Sequence, residues 1–369
     1  SQRVATSATA ILATSAGWLA YSFSAVMDLP LAVTLGSAVF VTLFDTRKSK
    51  GYVAGVFLGL AMLAKGLLPL GLFFPVWLIA RQRRIAILSS AVLVALPWYL
   101  ASYAKHGAAF WNELFWKHHV ERLYSSSIQH VEPFYFYIPV LLAGLFPWSP
   151  LLALVGNRKL YDDFRIRFLA AWVLLTFVFF SVVVNKLPGY LMPILPPLAL
   201  VMAVATDKAK LAHYWVASCS VLLAGLPLIG AILPGALQGG LRRTPIPWSM
   251  LGLPALPALA VAVVIWWLGH NGRLTLAVLI GALAASVGAA DLKLRILPAL
   301  NTRASVRSFW QQHREEVAAS SCADAWVNRG SVYGLEYYAN KTFGVCPEHN
   351  APSPRVSAIQ GNLKIAQGN

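Results

Sequence analysis

Eleven stretches of this chain are apolar over the length of a membrane span or nearly so, and that pattern leaves few folds open. They are Val4–Phe23, Leu29–Phe44, Tyr52–Ala64, Leu67–Ala80, Ile85–Tyr103, Phe134–Val155, Phe168–Val184, Tyr190–Ala205, Ala212–Leu237, Trp248–Gly269 and Leu274–Ala290. A span needs about 20 apolar residues, and a backbone in hydrocarbon must satisfy its own hydrogen bonds, so each run is read as a helix. Composition agrees: 58% of the residues are hydrophobic and 12% charged, where soluble domains carry about 25%. The chain is therefore expected to be an all-α polytopic membrane protein with about 11 transmembrane helices over residues 1–291. Tyr52–Ala64 and Leu67–Ala80 are short and hinge at Lys65-Gly66.

A formal charge of +16 could suggest nucleic acid. The basic residues lie instead in short clusters between the apolar runs: Arg47 to Lys50, Arg81 to Arg84, Arg158-Lys159, Arg165 with Arg167, Lys208 with Lys210, and Arg273. These fall at alternate ends of the spans, the arrangement of cytoplasmic loops facing anionic lipid, and no nucleic acid is expected as a partner. The outer side then holds Asp28, Lys65, the loop 104–133, the segment Lys186–Tyr190 and the C-terminal tail. From Leu292 the apolar runs stop, and 292–369 reads as a small soluble α/β unit: one polar helix, then short Tyr-rich strands, then a loosely patterned end. Cys322 and Cys346 in that tail would pair in an oxidising compartment and stay thiols elsewhere, and Cys219 is a small core residue. There is no internal repeat, no Gly-rich phosphate loop, no CxxC and no HExxH.

Charged groups inside apolar sequence carry the functional signal. Lys65 lies in GLAMLAKGLLPLGLFF, where an ammonium is expensive. With Gly66 and Pro69 breaking the helix, two limbs would form an elbow that turns Lys65 into a protein-lined cavity; snorkelling to the surface is the bland alternative. Asp28 opens a span and reads either as a helix-start residue followed by Pro30 or as the partner of a cation. The loop 104–133 suits an amphipathic interfacial helix carrying His118, His119, Glu121 and Arg122. Adjacent histidines face apart on a helix, whereas the Arg122 guanidinium matches phosphate geometry. Lys186 and Tyr190 flank the Pro188-Gly189 pair, which is read as holding a bend between two spans. Three cations and a carboxylate on one side suit a lipid phosphate or pyrophosphate head group; surface scatter is the alternative.

The order of these motifs resembles the GT-C fold glycosyltransferases that use polyprenyl-phosphate sugars, in particular the branch containing dolichyl-phosphate-mannose protein mannosyltransferases and the lipid A aminoarabinose transferase. The matching pieces are MDLPL at 27–31, GLAMLAKGLLPL at 59–70, PWY at 97–99, FWNELFWKHHVERL at 110–123, EPFYFYIPVLLAGLFPWSP at 132–150, FFSVVVNKLPGYLMPILPPLAL at 179–200 and YGLEYYANK at 333–341. The resemblance implies a multi-pass enzyme of the bacterial inner membrane with its site and its C-terminal domain facing the periplasm. A sugar would leave its polyprenyl-phosphate carrier, with inversion, for a glycolipid, protein or glycan acceptor. It assigns catalytic roles to Asp28 and Lys65, and lipid-phosphate binding to Lys65, His119, Arg122, Lys186 and Tyr190. A divalent metal ion near the centre is a further implication, with His119 its candidate ligand. The general-base carboxylate of such enzymes would precede Ser1, together with about two spans. A lipid-phosphate carrier or flippase, or a non-catalytic subunit of a glycosylation complex, are the alternatives.

Overall fold

The structure, a computed structural model, describes residues 1–24, 26–112, 114, 131–239, 244–347, 353–359 and 362–366. The chain divides into two compact units. One comprises Ser1–Leu226 with Met250–Ala289, the other Pro227–Ser249 with Ala290–Asn369.

Every apolar run is helical, and the breaks fall where the local chemistry demands them. The first run is two helices, α1 (Gln2–Thr14) and α2 (Ala16–Ser22), parted by an extended Ser15. There the Ala16 amide, released from its helix, donates to Phe146 O at 2.8 Å. Next come α3 (Asp28–Phe44), α4 (Lys50–Lys65), α5 (Leu68–Ile79), α6 (Arg84–His106) and the short α7 (Ala108–Trp111). The run Phe134–Val155, expected as one span, is bent: α8 (Tyr137–Gly144) meets a 3-10 segment, Ser149–Gly156, and the pair turns through 112°. Then follow α9 (Phe164–Val182), a 3-10 turn Pro188–Ile194 leading into α10 (Leu195–Lys208), α11 (Ala212–Leu222), α12 (Leu226–Gly239) and α13 (Leu256–His270). The last long helix, α14 (Leu274–Ala304), runs unbroken through 291 and 292, where the sequence suggested a boundary.

Among the described residues six helices are long and apolar enough to cross a membrane, or seven if the bent pair is one span. α3 and α5 are apolar but shorter. The segment Pro188–Lys208 is the hub, buried over 83% of its apolar window where the other five are buried over 22–28%. Its neighbours include α1, α3, α9 and α11. Around it the core holds Leu31, Leu35, Trp148, Leu169, Trp172, Ile194 and Met202.

α4 lies close against α6 because glycine recurs every fourth residue along its contact face. A Cβ on Gly55 would stand 2.0 Å from Ser90 Oγ and 2.3 Å from Ile87 O, and one on Gly59 would stand 2.7 Å from Val94 Cβ. Gly51, one turn earlier, faces Ala86 and Arg83. Lipid offers no hydrophobic drive between helices, so close backbone approach of this kind is what holds them together.

The second unit differs from the sequence expectation in its tail. The tyrosines at 333, 337 and 338 lie on a helix, α17 (Arg329–Ala339), and not on strands. The polar helix is broken into α15 (Arg307–Gln312) and α16 (Arg314–Ala319). The strands are β1 (Cys322–Ala323), β2 (Gly344–Val345), β3 (Arg355–Ile359) and β4 (Asn362–Ala366), in the order β2-β1-β3-β4, with β1 parallel to β2 and β3. β3 and β4 form an antiparallel ladder in the stretch expected to end loosely. Helix periodicity won over β-propensity at the tyrosines because Leu335 and its neighbours bury one face against Val306, Val317 and Val356. Cys322 and Cys346 form a disulfide, and Cys219 is a buried free thiol.

Gly55→Val is expected to lower the melting temperature of the detergent-solubilised protein by the equivalent of about 1–3 kcal/mol, whereas Gly71→Ala, whose Cβ would meet nothing within 4 Å, leaves it unchanged; differential scanning fluorimetry reads both.

Candidate functional site

α4 ends at Lys65 because Gly66 adopts φ +65°, a conformation that strains any side-chain-bearing residue. α5 restarts at Leu68 with Pro69 in its first turn. This is the expected elbow, and it leaves Lys65 at the C-terminus of one helix. Asp28 is the first residue of α3 and the acidic residue of its first turn. The two meet: Lys65 Nζ donates to Asp28 Oδ1 in an ion pair whose side chains are 17% and 16% exposed. Each charge sits at the helix end whose dipole favours it. Both readings of Asp28 have a counterpart in the structure: it pairs with Lys65, and it stands in the first turn of α3.

The segment KLPGY supplies the third side. Residues from Pro188 form a 3-10 turn, and Gly189 earns its place by its size: a Cβ there would lie 2.7 Å from Asp28 Oδ2 and 2.8 Å from Tyr21 Cε1. The turn thus seats directly on the Asp28 carboxylate. One residue on, the Tyr190 ring lies beneath the ammonium, with Lys65 Nζ 4.7 Å from its centroid, and packs against Phe180 at 5.3 Å. Cation–π attraction and ion pairing together fix the direction of the Lys65 side chain.

Lys65 and Tyr190 open onto a cavity of about 400 Å³. Its walls are mainly apolar, with Met62, Trp98, Tyr99, Phe179 and Phe180 among them, and Asn185 adds a polar edge. Tyr99 is held by its hydroxyl, which donates to Met62 O at 3.0 Å. An apolar chamber with a fixed cation at its wall suits an amphiphile with an anionic head.

Lys186 is buried, and its ammonium donates to Glu132 O at 2.9 Å and to Val183 O at 2.6 Å. Burial pushes its pKa down, offset in part by the Glu132 charge. With the Val131–Asn185 bridge it pins the return of the loop 104–133 onto the turn; it is not among the residues lining the cavity at Lys65. His119 and Arg122 lie outside the described residues, so the site is built here from Asp28, Lys65 and Tyr190. Among the described residues no group of three or more His, Cys, Asp or Glu side chains could hold a metal ion. Sequence reasoning missed Tyr21, the cavity residues Trp98 and Tyr99, and the role of Gly189. PWY at 97–99 was the available signal for the second pair.

No protein-family model matches the chain. In sequence it is 36% identical over 193 residues to the undecaprenyl phosphate-alpha-4-amino-4-deoxy-L-arabinose arabinosyl transferase of Serratia proteamaculans, a match covering 48% of this chain and 35% of that protein. It is 32% identical over 242 residues to the Enterobacter protein of the same name, covering 59% of this chain and 42% of the relative. In structure it matches ArnT from Cupriavidus metallidurans, crystallised bound to undecaprenyl phosphate, with a TM-score of 0.68 at 17% identity, over 94% of this chain and 67% of that one. The apo crystal structure of the same ArnT matches with a TM-score of 0.67. The resemblance to the GT-C, lipid A aminoarabinose transferase-like family is thus borne out in sequence and in fold. The matched stretches span 35% and 42% of the length of these curated relatives.

The ion pair is testable on its own terms. Asp28→Asn and Lys65→Met should each destabilise the protein, and the double variant should recover about 1–3 kcal/mol of the summed loss; additive losses in thermal or chemical unfolding would deny the coupling.

Proposed function

We propose that this chain is the donor-site portion of a membrane glycosyltransferase that moves a sugar from a polyprenyl-phosphate carrier to a cell-envelope acceptor: a lipid A-like glycolipid, a protein or a glycan. The observation that carries this reading is the oriented Lys65 ammonium at the wall of the apolar cavity beside the α4–α5 break. The polyprenyl chain occupies apolar space and its phosphate lies against Lys65. The curated relatives named above supply the sugar class that this reading favours, an aminoarabinose on undecaprenyl phosphate.

The reaction is a single displacement with inversion. An acceptor oxygen attacks the anomeric carbon, the bond from that carbon to the phosphate oxygen breaks, and polyprenyl phosphate leaves with the electron pair. Lys65 stabilises the charge that grows on the departing phosphate, and its fixed direction means little reorganisation is needed as that charge develops. Asp28 holds Lys65 in place until the phosphate competes for it, and Tyr190 keeps it aimed once it does. The acceptor proton passes to a general base, which the family resemblance implies is a carboxylate. Arg122 adds a second cation to the phosphate, and Lys186 fixes the turn that carries Tyr190. The metal implied by the resemblance, with His119 as its ligand, carries no step of this mechanism.

The topology belongs to the same reading. α1 with α2, the short α3, α4 and α5, and the bent pair complete about 11 passes. The basic ends face the cytoplasm, and the site and the disulfide-bearing second unit face the periplasm of a bacterial inner membrane.

The full-length protein should release polyprenyl phosphate from a labelled polyprenyl-phosphate sugar, with the sugar recovered on acceptor. Lys65→Ala should lower that rate by at least about 100-fold, the scale of losing one preorganised charge-stabilising donor. Undiminished turnover in Lys65→Ala rejects the assignment, and donor movement across the bilayer without sugar transfer would identify a carrier.

A further inference from the structure

A second cation-lined site lies at the opposite ends of the same helices. Asp28 opens α3 and Thr42 lies near its close, about 21 Å away at 1.5 Å per residue. Three connections meet there: α3 to α4, the 3-10 turn Arg81–Arg83 between α5 and α6, and the start of α9. Between them lie two cavities of about 350 and 390 Å³. Both are lined by Thr42, Ile79 and Arg81; Lys50 and Arg83 line the first, and Phe164 and Arg165 the second.

The chemistry of the lining is one-sided. Four cations border the two cavities, and no carboxylate does. The neighbouring acids are already engaged: Asp45 accepts from Arg47 Nε and Nη2 at 2.9 and 2.7 Å, and Asp163 Oδ1 accepts from the Arg165 amide at 2.8 Å. Arg47, with a smaller contribution from the Lys50 charge, holds the Asp45 carboxyl at a pKa of about 2. Among the described residues no ion pair reaches Lys50, Arg81, Arg83 or Arg165. The walls are also built. Arg83 donates to Lys48 O across the α3–α4 connection, Lys50 Nζ reaches Thr42 O at 3.5 Å, and the Arg165 guanidinium lies 5.5 Å from the centre of the Phe44 ring. Ile79 and Phe164 at the rim are exposed apolar side chains.

We infer that these paired cavities bind an acidic glycerophospholipid whose head group carries two phosphodiesters, one in each cavity, with Arg81 between them. Two compartments sharing one arginine suit a bridged diphosphate head group better than a single phosphate, and the apolar rim gives its acyl chains a path that a soluble anion would not use. Basic pockets between transmembrane helices recognise such head groups by charge and geometry together. The site is separate from the Lys65 cavity and does not depend on the function proposed above.

The test titrates cardiolipin, phosphatidylglycerol and phosphatidylethanolamine onto the delipidated full-length protein and reads retention by native mass spectrometry. Cardiolipin should bind at least about tenfold more tightly than either other lipid, and Arg81→Gln with Arg165→Gln should remove that margin at an unchanged melting temperature. Lys210→Gln with Arg273→Gln, which the topology puts on the same side of the membrane, should retain it. If the double variant melts early, Arg81→Gln alone carries the comparison, because that side chain is exposed. Equal retention by wild type and the Arg81 variants, equal loss in the control pair, or phosphatidylglycerol binding as tightly as cardiolipin would each overturn the proposal. So would displacement of cardiolipin by sodium pyrophosphate at equal concentration, which would make a free anion the ligand.

Discussion

An ammonium and a carboxylate face each other at the mouth of an apolar chamber, and the surrounding helices are arranged to make that tolerable. A lone lysine in the middle of GLAMLAKGLLPLGLFF costs several kcal/mol in hydrocarbon, and the cost is met in three ways. The helix ends at Gly66, which places the charge at a C-terminus. Asp28, in the first turn of α3, neutralises it. Tyr190 offers a ring face. Removing one partner of such a pair strands the other, which typically costs about 3–5 kcal/mol for a buried pair, so the elbow, the start of α3 and the KLPGY turn form one energetic unit. The reaction we propose draws on this principle, since it gives a phosphate the place that the protein's own carboxylate holds.

The two ends of α3 and α4 carry opposite designs. At one end a single cation is paired, oriented and largely buried at the wall of an apolar cavity. At the other, four cations stand around open cavities with their acidic neighbours occupied elsewhere. The two proposals follow this contrast: a preorganised single charge favours a reaction, whereas several cations without an ion pair among the described residues favour retention.

Much of this was legible in the sequence, and the failures have physical causes. The apolar runs located the helices because hydrocarbon leaves a backbone no alternative. Lys65 and Asp28 stood out for the same reason: charge is rare where it is expensive. Ser15 was not legible, since it interrupts a hydrophobic stretch with neither a charge nor a proline to mark it, whereas Pro147 and Pro150 were an available signal for the bend after Gly144 that a reading by hydropathy alone passed over. Gly189 was read only as part of a turn, because nothing local shows that a carboxylate from residue 28 would need the room of its Cβ. The spacing of Gly51, Gly55 and Gly59 was a usable signal for close packing. The tyrosines of 333–338 misled in the other direction, since aromatic residues favour strands until a buried face pulls them onto a helix.

The burial of Pro188–Lys208 has a consequence for how the molecule is made. Its mean hydropathy, 1.7, is close to that of the lipid-facing helices, yet protein covers most of it. A helix apolar all round passes from the translocon into lipid on its own merits. Its neighbours α1, α3 and α9 all precede it in the chain and are already made when it emerges. Nascent chains stalled just after Lys208 should therefore already hold this helix against protein, with little of it left to lipid.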